Sequence, residues 1–432
     1  MKRLKAFATA LTLTILSAAA QEAMTVERVF ELIEQNSKSL SAARSSTLAA
    51  EEGIASAKRE RLPDIDAALT LSYNGNILKL DRDFSNAETF SQPHFGNNLT
   101  VEAKQIVYAG GAINSGIRMA EIEQSMTETG VDATRDALRY LAVTQLLQLI
   151  EADMSLSVYD SNIRLAERLI DDVSAKRERG MALQNDITRY ELQLQTLRLG
   201  RRKTEDRRNV MNYQLCNTLG LPTDTRIEPD TTLQSMLESE QYSDWQQRAQ
   251  QSSTAILQSA DAVAMAEQQL TIAKSERRPT IFVYAADIFN GPYTYDIPPV
   301  DNNFNIWQIG VGVSYKFGNL YKRSKNVKRA DIEIRQRREQ YESTAEEIDN
   351  RMQEAFTLYV QAFEQLRTMQ KSVELARENY AVVNDRYLND LALVTDMTDA
   401  QNMLLRAELD EATARLQIVN AYYRMKYIAG DI

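Results

Sequence analysis

The chain has 432 residues and a net charge of −10, with 60 acidic against 50 basic side chains, one histidine and one cysteine. His94 and Cys216 stand alone and far apart, which argues against a His-based metal centre, a Cys–His nucleophile and an internal disulfide. No phosphate loop or nucleophile elbow occurs, so neither a cofactor nor catalysis is expected.

The first residues, Met1-Lys2-Arg3-Leu4-Lys5, are basic, and an apolar run from Ala6 to Leu16 follows. Small residues then lead to Gln21. This pattern predicts a signal peptide, residues 1–20, cleaved after Ala20; no cysteine follows to carry a lipid anchor. No later stretch is apolar for long enough to be a transmembrane helix.

A helix is expected over 25–62, up to Pro63, followed by a strand at 64–74, a polar loop at 75–97 and a second strand at 98–104. A long helix, 112–178, comes next; at 1.5 Å per residue it measures about 100 Å. After a break, a helix of 183–219 completes the first half. The segment 221–241, with Pro222 and Pro229, is expected to be a linker. The second half has a helix at 242–278, strands at 280–289 and 305–317 around a polar loop at 290–303, a long helix at 322–387 and a last helix at 393–429. The prolines support this plan, since none falls in 94–221 or 300–432.

The two halves are copies. "AKRERLP" (57–63) recurs as "AKSERRP" (273–279), 216 residues later. Ala152, Leu165, Ala166, Val173 and Gly220 recur as Ala362, Leu375, Ala376, Val383 and Gly430, 210 residues later. The domain expectation is therefore a first repeat at 21–220, a linker at 221–241 and a second repeat at 242–432.

The strands alternate. Ile65, Ala67, Leu69, Leu71 and Tyr73 oppose Asp64, Asp66, Thr70 and Ser72; Trp307, Ile309, Val311 and Val313 oppose Gln308, Gly310, Gly312 and Ser314. The stretch 280–289 alternates poorly. Such strands suit a soluble sheet on helices or a membrane barrel with lipid outside and water inside. Four strands cannot close a barrel, so the second reading needs three chains and twelve strands. Tyr108 and Phe317 are candidates for an aromatic girdle.

The last helix carries two apolar seams, one from Leu405 to Tyr423 and one from Ala400 to Met425. Arg406, Asp410, Thr413 and Gln417 separate them on one flank, and Gln401, Glu408 and Arg415 on the other. A helix with two opposed seams and two wet flanks is a stave in a hollow wall or a member of a layered coiled-coil sheet. The basic stretch 322–339 is expected to be a solvated helix face, with no nucleic acid as partner.

Signal peptide, duplicated halves, paired strands and long helices, together with "IVYAGG" (106–111) and the ending "TDMTDAQNMLLRAELDEATARLQIVNAYYRMKYIAG", resemble the TolC-type outer-membrane efflux proteins. The resemblance covers the mature chain from about Thr25 to Gly430. It implies a mainly α fold with a small β part: a homotrimer whose 12-stranded barrel, four strands per chain, sits in the outer-membrane lipid of a Gram-negative bacterium and continues as a periplasmic helical barrel. It also implies a periplasmic adaptor and an inner-membrane transporter as partners, and passive export as the function. A periplasmic or surface coiled-coil scaffold is the alternative.

The resemblance places Asp396 and Asp399 at the periplasmic constriction, six carboxylates in three chains, where close like charges repel one another and attract cations. Without it, both aspartates are equally suited to a helix N-terminus. Asp186 and Tyr387 match positions that latch the closed tip. The basic latch residue expected at 392 is Ala392, and the glycine of the second tip is Asp390, so Arg189 becomes a candidate substitute partner. Gly180, Met181, Leu183, Asp390, Leu391 and Leu393 are the tip residues expected to meet the adaptor. No metal site is expected. Cargo is not legible in the residues.

Overall fold

The computed structural model describes residues 23–231, 241–294, 299–389 and 391–432. The expected signal peptide and Asp390 lie outside the described residues, as do parts of the linker and of the 290–303 loop.

Helix α1, Val26–Asn36, starts at Thr25, whose hydroxyl accepts from the Arg28 N–H at 3.2 Å. It stops at Ser37, and α2, Lys38–Arg59, begins at once. The second repeat does the same: α5, Tyr242–Ser252, stops at Ser253 and α6, Thr254–Ser275, follows. The single helices expected over 25–62 and 242–278 are therefore each broken. At Ser37 the cause is local, because its Oγ accepts from the Leu40 N–H and competes with the helical ladder. Ser37 and Ser253 are 216 residues apart, and so are Leu40 and Ile256, both buried just past the break.

Four strands form one antiparallel sheet in the order β1-β4-β5-β6, with β1 Asp64–Tyr73, β4 Phe95–Ala109, β5 Thr280–Gly291 and β6 Phe304–Ser314. The 75–97 loop contains a small hairpin, β2 Ile77–Lys79 and β3 Glu88–Phe90. Register puts Ile65, Ala103, Ala285 and Ile309 in one row, and Asp64, Lys104, Tyr284 and Gly310 in the next, which faces the other way. The first face is mostly apolar, with Asp287 its single charge and Asn97, Gln105 and Asn305 its other polar side chains in the paired strands. The poor alternation of β5 has a packing reason. Phe282 and Tyr284 lie on the polar face, over Gly312 and Gly310 of β6, where a Cβ at Gly310 would meet the Tyr284 ring at 2.8 Å. Strand β6 ends at Ser314, so the girdle candidate Phe317 lies beyond it, exposed.

Long helices carry the rest: α3 Ala112–Glu178, α4 Gln184–Leu219, the short α7 Asn319–Lys322, α8 Ser324–Leu388 and α9 Val394–Ala429. Residues 42–133 and 250–349 form one compact unit, which holds the sheet; residues up to 41, 134–249 and 350–432 form the other. Each unit draws on both repeats.

In the second unit both seams of α9 are buried, Ala412, Leu416 and Val419 on one, and Ala400, Leu404, Ala407 and Ile418 on the other. One flank departs from the expectation of water on both sides. Gln401 is fully buried, and Glu408 accepts from Asn162 of α3 and Arg377 of α8. Polar partners cover this flank. The linker is fixed to α4 by Asn212, which donates to the Thr225 carbonyl and accepts from the Ile227 N–H, and by the buried Arg208, which donates to the Ile227 carbonyl and also pairs with Asp153 of α3.

Candidate functional site at the hairpin tips

Helices α3 and α4 form one hairpin, and α8 and α9 another. Each tip is five residues long, 179–183 and 389–393, and the two are built alike. At the first, Gly180 takes a left-handed φ of 76°, and the Met181 N–H reaches back to the Lys176 carbonyl at 2.9 Å, a pattern that satisfies the end of α3. At the second, the Leu391 N–H makes the same bond to the Arg386 carbonyl at 2.8 Å.

The restart is also shared. Asp186 Oδ2 accepts from the Leu183 N–H at 3.0 Å, and Asp396 Oδ2 accepts from the Leu393 N–H at 2.9 Å. Each aspartate thus supplies the back-bonding half of a capping box and places negative charge in the first helical turn. Asp186 and Asp396 are counterparts, 210 residues apart. Asp399 is different. It is exposed, makes no hydrogen bond or ion pair among the described residues, and has Arg189 as its counterpart in the first repeat. Arg189 is likewise exposed and forms no ion pair with Asp186 within the chain.

Between the tips lies a cluster of Leu169, Val173, Ile187, Tyr190, Tyr387, Val394 and Met397. The Tyr190 and Tyr387 rings meet edge to face at 6.3 Å. Lys176 Nζ lies 4.9 Å from the centre of the Tyr387 ring and donates to the carbonyls of Tyr387, at 3.0 Å, and Leu388, at 3.3 Å. It thus ties α3 to the end of α8. Its role was not evident from sequence, although a basic residue in the last turn of a helix is the kind that finds carbonyls. Burial, reinforced by Tyr387, pushes the Tyr190 hydroxyl far above the ordinary tyrosine range. Burial takes Tyr380 to about 12, against the opposing charge of Arg168. Ala392 packs on the same cluster.

Around this core the outer surface of the tips is apolar. Met181, Leu183, Leu391 and Leu393 are each more than half exposed, and they too pair across the repeats. The structure therefore brings together Asp186 with Leu183, Asp396 with Leu393, and Tyr387 with Tyr190, and leaves Asp399 and Arg189 open to solvent.

The family model described as outer membrane efflux protein matches residues 245–431. A search by sequence among curated proteins finds no match. By structure the chain is similar to the outer membrane protein VceC from Vibrio cholerae, with a TM-score of 0.77 and 14% identity over 94% of this chain and 96% of that one. It is similar to the CmeC outer membrane channel of Campylobacter jejuni, TM-score 0.76 and 13% identity over 94% and 85%. The MtrE outer membrane channel of Neisseria gonorrhoeae, in its open state, gives 0.75 and 14% over 94% and 88%.

Proposed function

We propose that this chain, whose second repeat matches the model of the outer membrane efflux protein family and whose fold is similar to that of outer-membrane channels along nearly its whole length, is a passive exit channel of the outer membrane. The observation that carries this reading is the sheet. It exposes Ile65, Leu69, Leu71, Trp307, Ile309, Val311 and Val313, and it ends in two unpaired edges, β1 and β6. A soluble sheet buries such a face; a membrane barrel turns it to lipid. Three copies joined edge to edge give twelve strands, enough to close.

In this reading the helical hairpins continue the channel into the periplasm and their tips form its gate. An inner-membrane transporter delivers cargo through a periplasmic adaptor, and the exposed Met181, Leu183, Leu391 and Leu393, beside Gly180 and Asp390, give the adaptor an apolar seat. Asp396 and Asp399 ring the narrowest point with negative charge that favours cations. Tyr387 and Asp186 hold the tips together, and Arg189 stands at the level of Asp399, where it offers the basic latch that Ala392 lacks. The chain itself makes or breaks no bond.

Electron microscopy of protein extracted from outer membranes tests this. Detergent-dependent particles with threefold rings are expected. Solid rods that stay soluble without detergent would leave a coiled-coil scaffold instead.

A further inference from the structure

Strand β6 carries two glycines, Gly310 and Gly312, on the polar face of the sheet, and each has an aromatic residue of β5 directly opposite, Tyr284 and Phe282. A Cβ at Gly310 would lie 2.8 Å from Tyr284 Cε1, 2.9 Å from Cζ and 2.9 Å from the hydroxyl oxygen. Three bonded atoms at nearly one distance mean that the ring lies flat over the glycine rather than pointing at it. The Phe282 ring covers Gly312 in the same way, through Cζ and both Cε atoms. The ring centroids are 6.1 Å apart, and both residues are only partly buried. Glycine backbone takes one face of each ring and leaves the other open. Any larger side chain at 310 or 312 would lift the rings off the sheet.

A cation already uses this arrangement. Lys104 Nζ lies 4.5 Å from the centre of the Phe282 ring, where the negative face of an aromatic attracts an ammonium. Among the described residues no cation stands over Tyr284.

The other charges on this patch are negative. Asp66 is directly opposite Glu102, an unfavourable pairing of like charges. Glu102 pairs in register with Ala286, which makes it the diagonal neighbour of Tyr284, within reach of a long side chain. Asp64 is directly opposite Lys104. All four charged residues are exposed, and among the described residues the three carboxylates make no ion pair or hydrogen bond.

We propose that this patch is a subsite for planar organic cations. The flat ring system of the cation lies on Tyr284 and Phe282, and Glu102 and Asp66 supply the countercharge that they hold uncompensated. Lys104 is the resident competitor. When the subsite fills, its ammonium leaves Phe282 and turns to Asp64 across the strand pair. Carboxylates alone would take any small cation; the two open ring faces select those that can stack. The inference rests on the exit-channel reading, in which this face lines the aqueous lumen and three copies supply six rings. It adds a chemical class of cargo that the wall of the lumen favours.

Ethidium, a planar aromatic cation, is the probe, and its fluorescence anisotropy with the full-length, detergent-solubilised protein reads the binding. Phe282→Leu and Tyr284→Leu should each weaken binding about tenfold, within the range of one desolvated cation–π contact. Glu102→Gln should weaken it as well, and Asp399→Ala, at the hairpin tip, should not. Lys104→Gln should tighten binding, a gain that misfolding cannot imitate. Tetraethylammonium, equal in charge but not planar, should displace ethidium only at far higher concentration. Threefold particles that bind ethidium equally well in the Phe282, Tyr284 and Lys104 variants would overturn the subsite and leave the channel reading intact. So would displacement by tetraethylammonium at equal concentration, which would reduce the patch to bare charge. Solid rods that stay soluble without detergent would remove the lumen and overturn both.

Discussion

Asp396 and Asp399 stand one turn apart on the same helix yet do different work. Asp396 holds the Leu393 N–H, as Asp186 holds that of Leu183, so the sequence argument for helix-start residues applies to it. Asp399 has no such bond, and its counterpart is a base, Arg189. Asp396→Ala should therefore loosen the second tip by about 1 kcal/mol, the usual worth of a capping contact. Asp399→Ala should leave tip stability unchanged. If the proposed ring forms, both should weaken cation preference in single-channel recordings, because each removes three charges from three chains. Protease sensitivity at the tip, measured beside ion selectivity, separates the two roles; equal effects of both substitutions on stability would contradict the assignment.

At the level of elements, the tips are joined by a tyrosine-rich core that titrates. Tyr190 and Tyr380 have their hydroxyls raised above the ordinary value near 10, in both cases chiefly by burial. A raised folded-state value means that the native chain keeps protons the unfolded chain gives up. The stability these groups contribute is complete below about pH 10 and falls as pH rises through the folded values. The hairpin tips should become protease-sensitive between about pH 10 and 12, and Tyr380→Phe should move that onset upward. Much of this architecture was legible in the residues. The long helices α3, α4, α8 and α9 match their expected bounds within two residues at every end, because no proline interrupts them and good helix formers fill them. The breaks at Ser37 and Ser253 were not legible, since serine is common inside helices and nothing in the residues marks Ser37 as one whose Oγ turns to the Leu40 N–H. The placement of Phe282 and Tyr284 was hidden for a similar reason. A period-2 pattern cannot register that an aromatic on the polar face has a glycine opposite it. The roles of Asp186 and Asp396 were open in sequence because one side chain suits both a cap and a ring. The burial of Gln401 was missed because its cover comes from α3, far away in the chain.

For the whole molecule, the two faces of the sheet should tolerate charge unequally. Ile309 lies in mid-strand on the apolar face, and Gln308 beside it on the other. Ile309→Arg should cost about 2–4 kcal/mol at the bilayer centre and deplete assembled protein from the outer membrane, whereas Gln308→Arg should assemble normally. Equal yields from the two variants, measured in outer-membrane fractions, would argue against lipid on that face. The open edges β1 and β6 have a further consequence, for biogenesis. A lone copy of the proposed trimer has two sheet edges of unpaired backbone groups and an uncovered apolar face, the template on which strands aggregate. A pair of copies still has two free edges, and only the third removes them. On the exit-channel proposal, assembly is therefore all-or-none in chain number, with no resting dimer to accumulate. On the same proposal, a newly exported chain needs its edges shielded until its companions arrive, and overproduction should yield aggregates rather than a pool of free subunits.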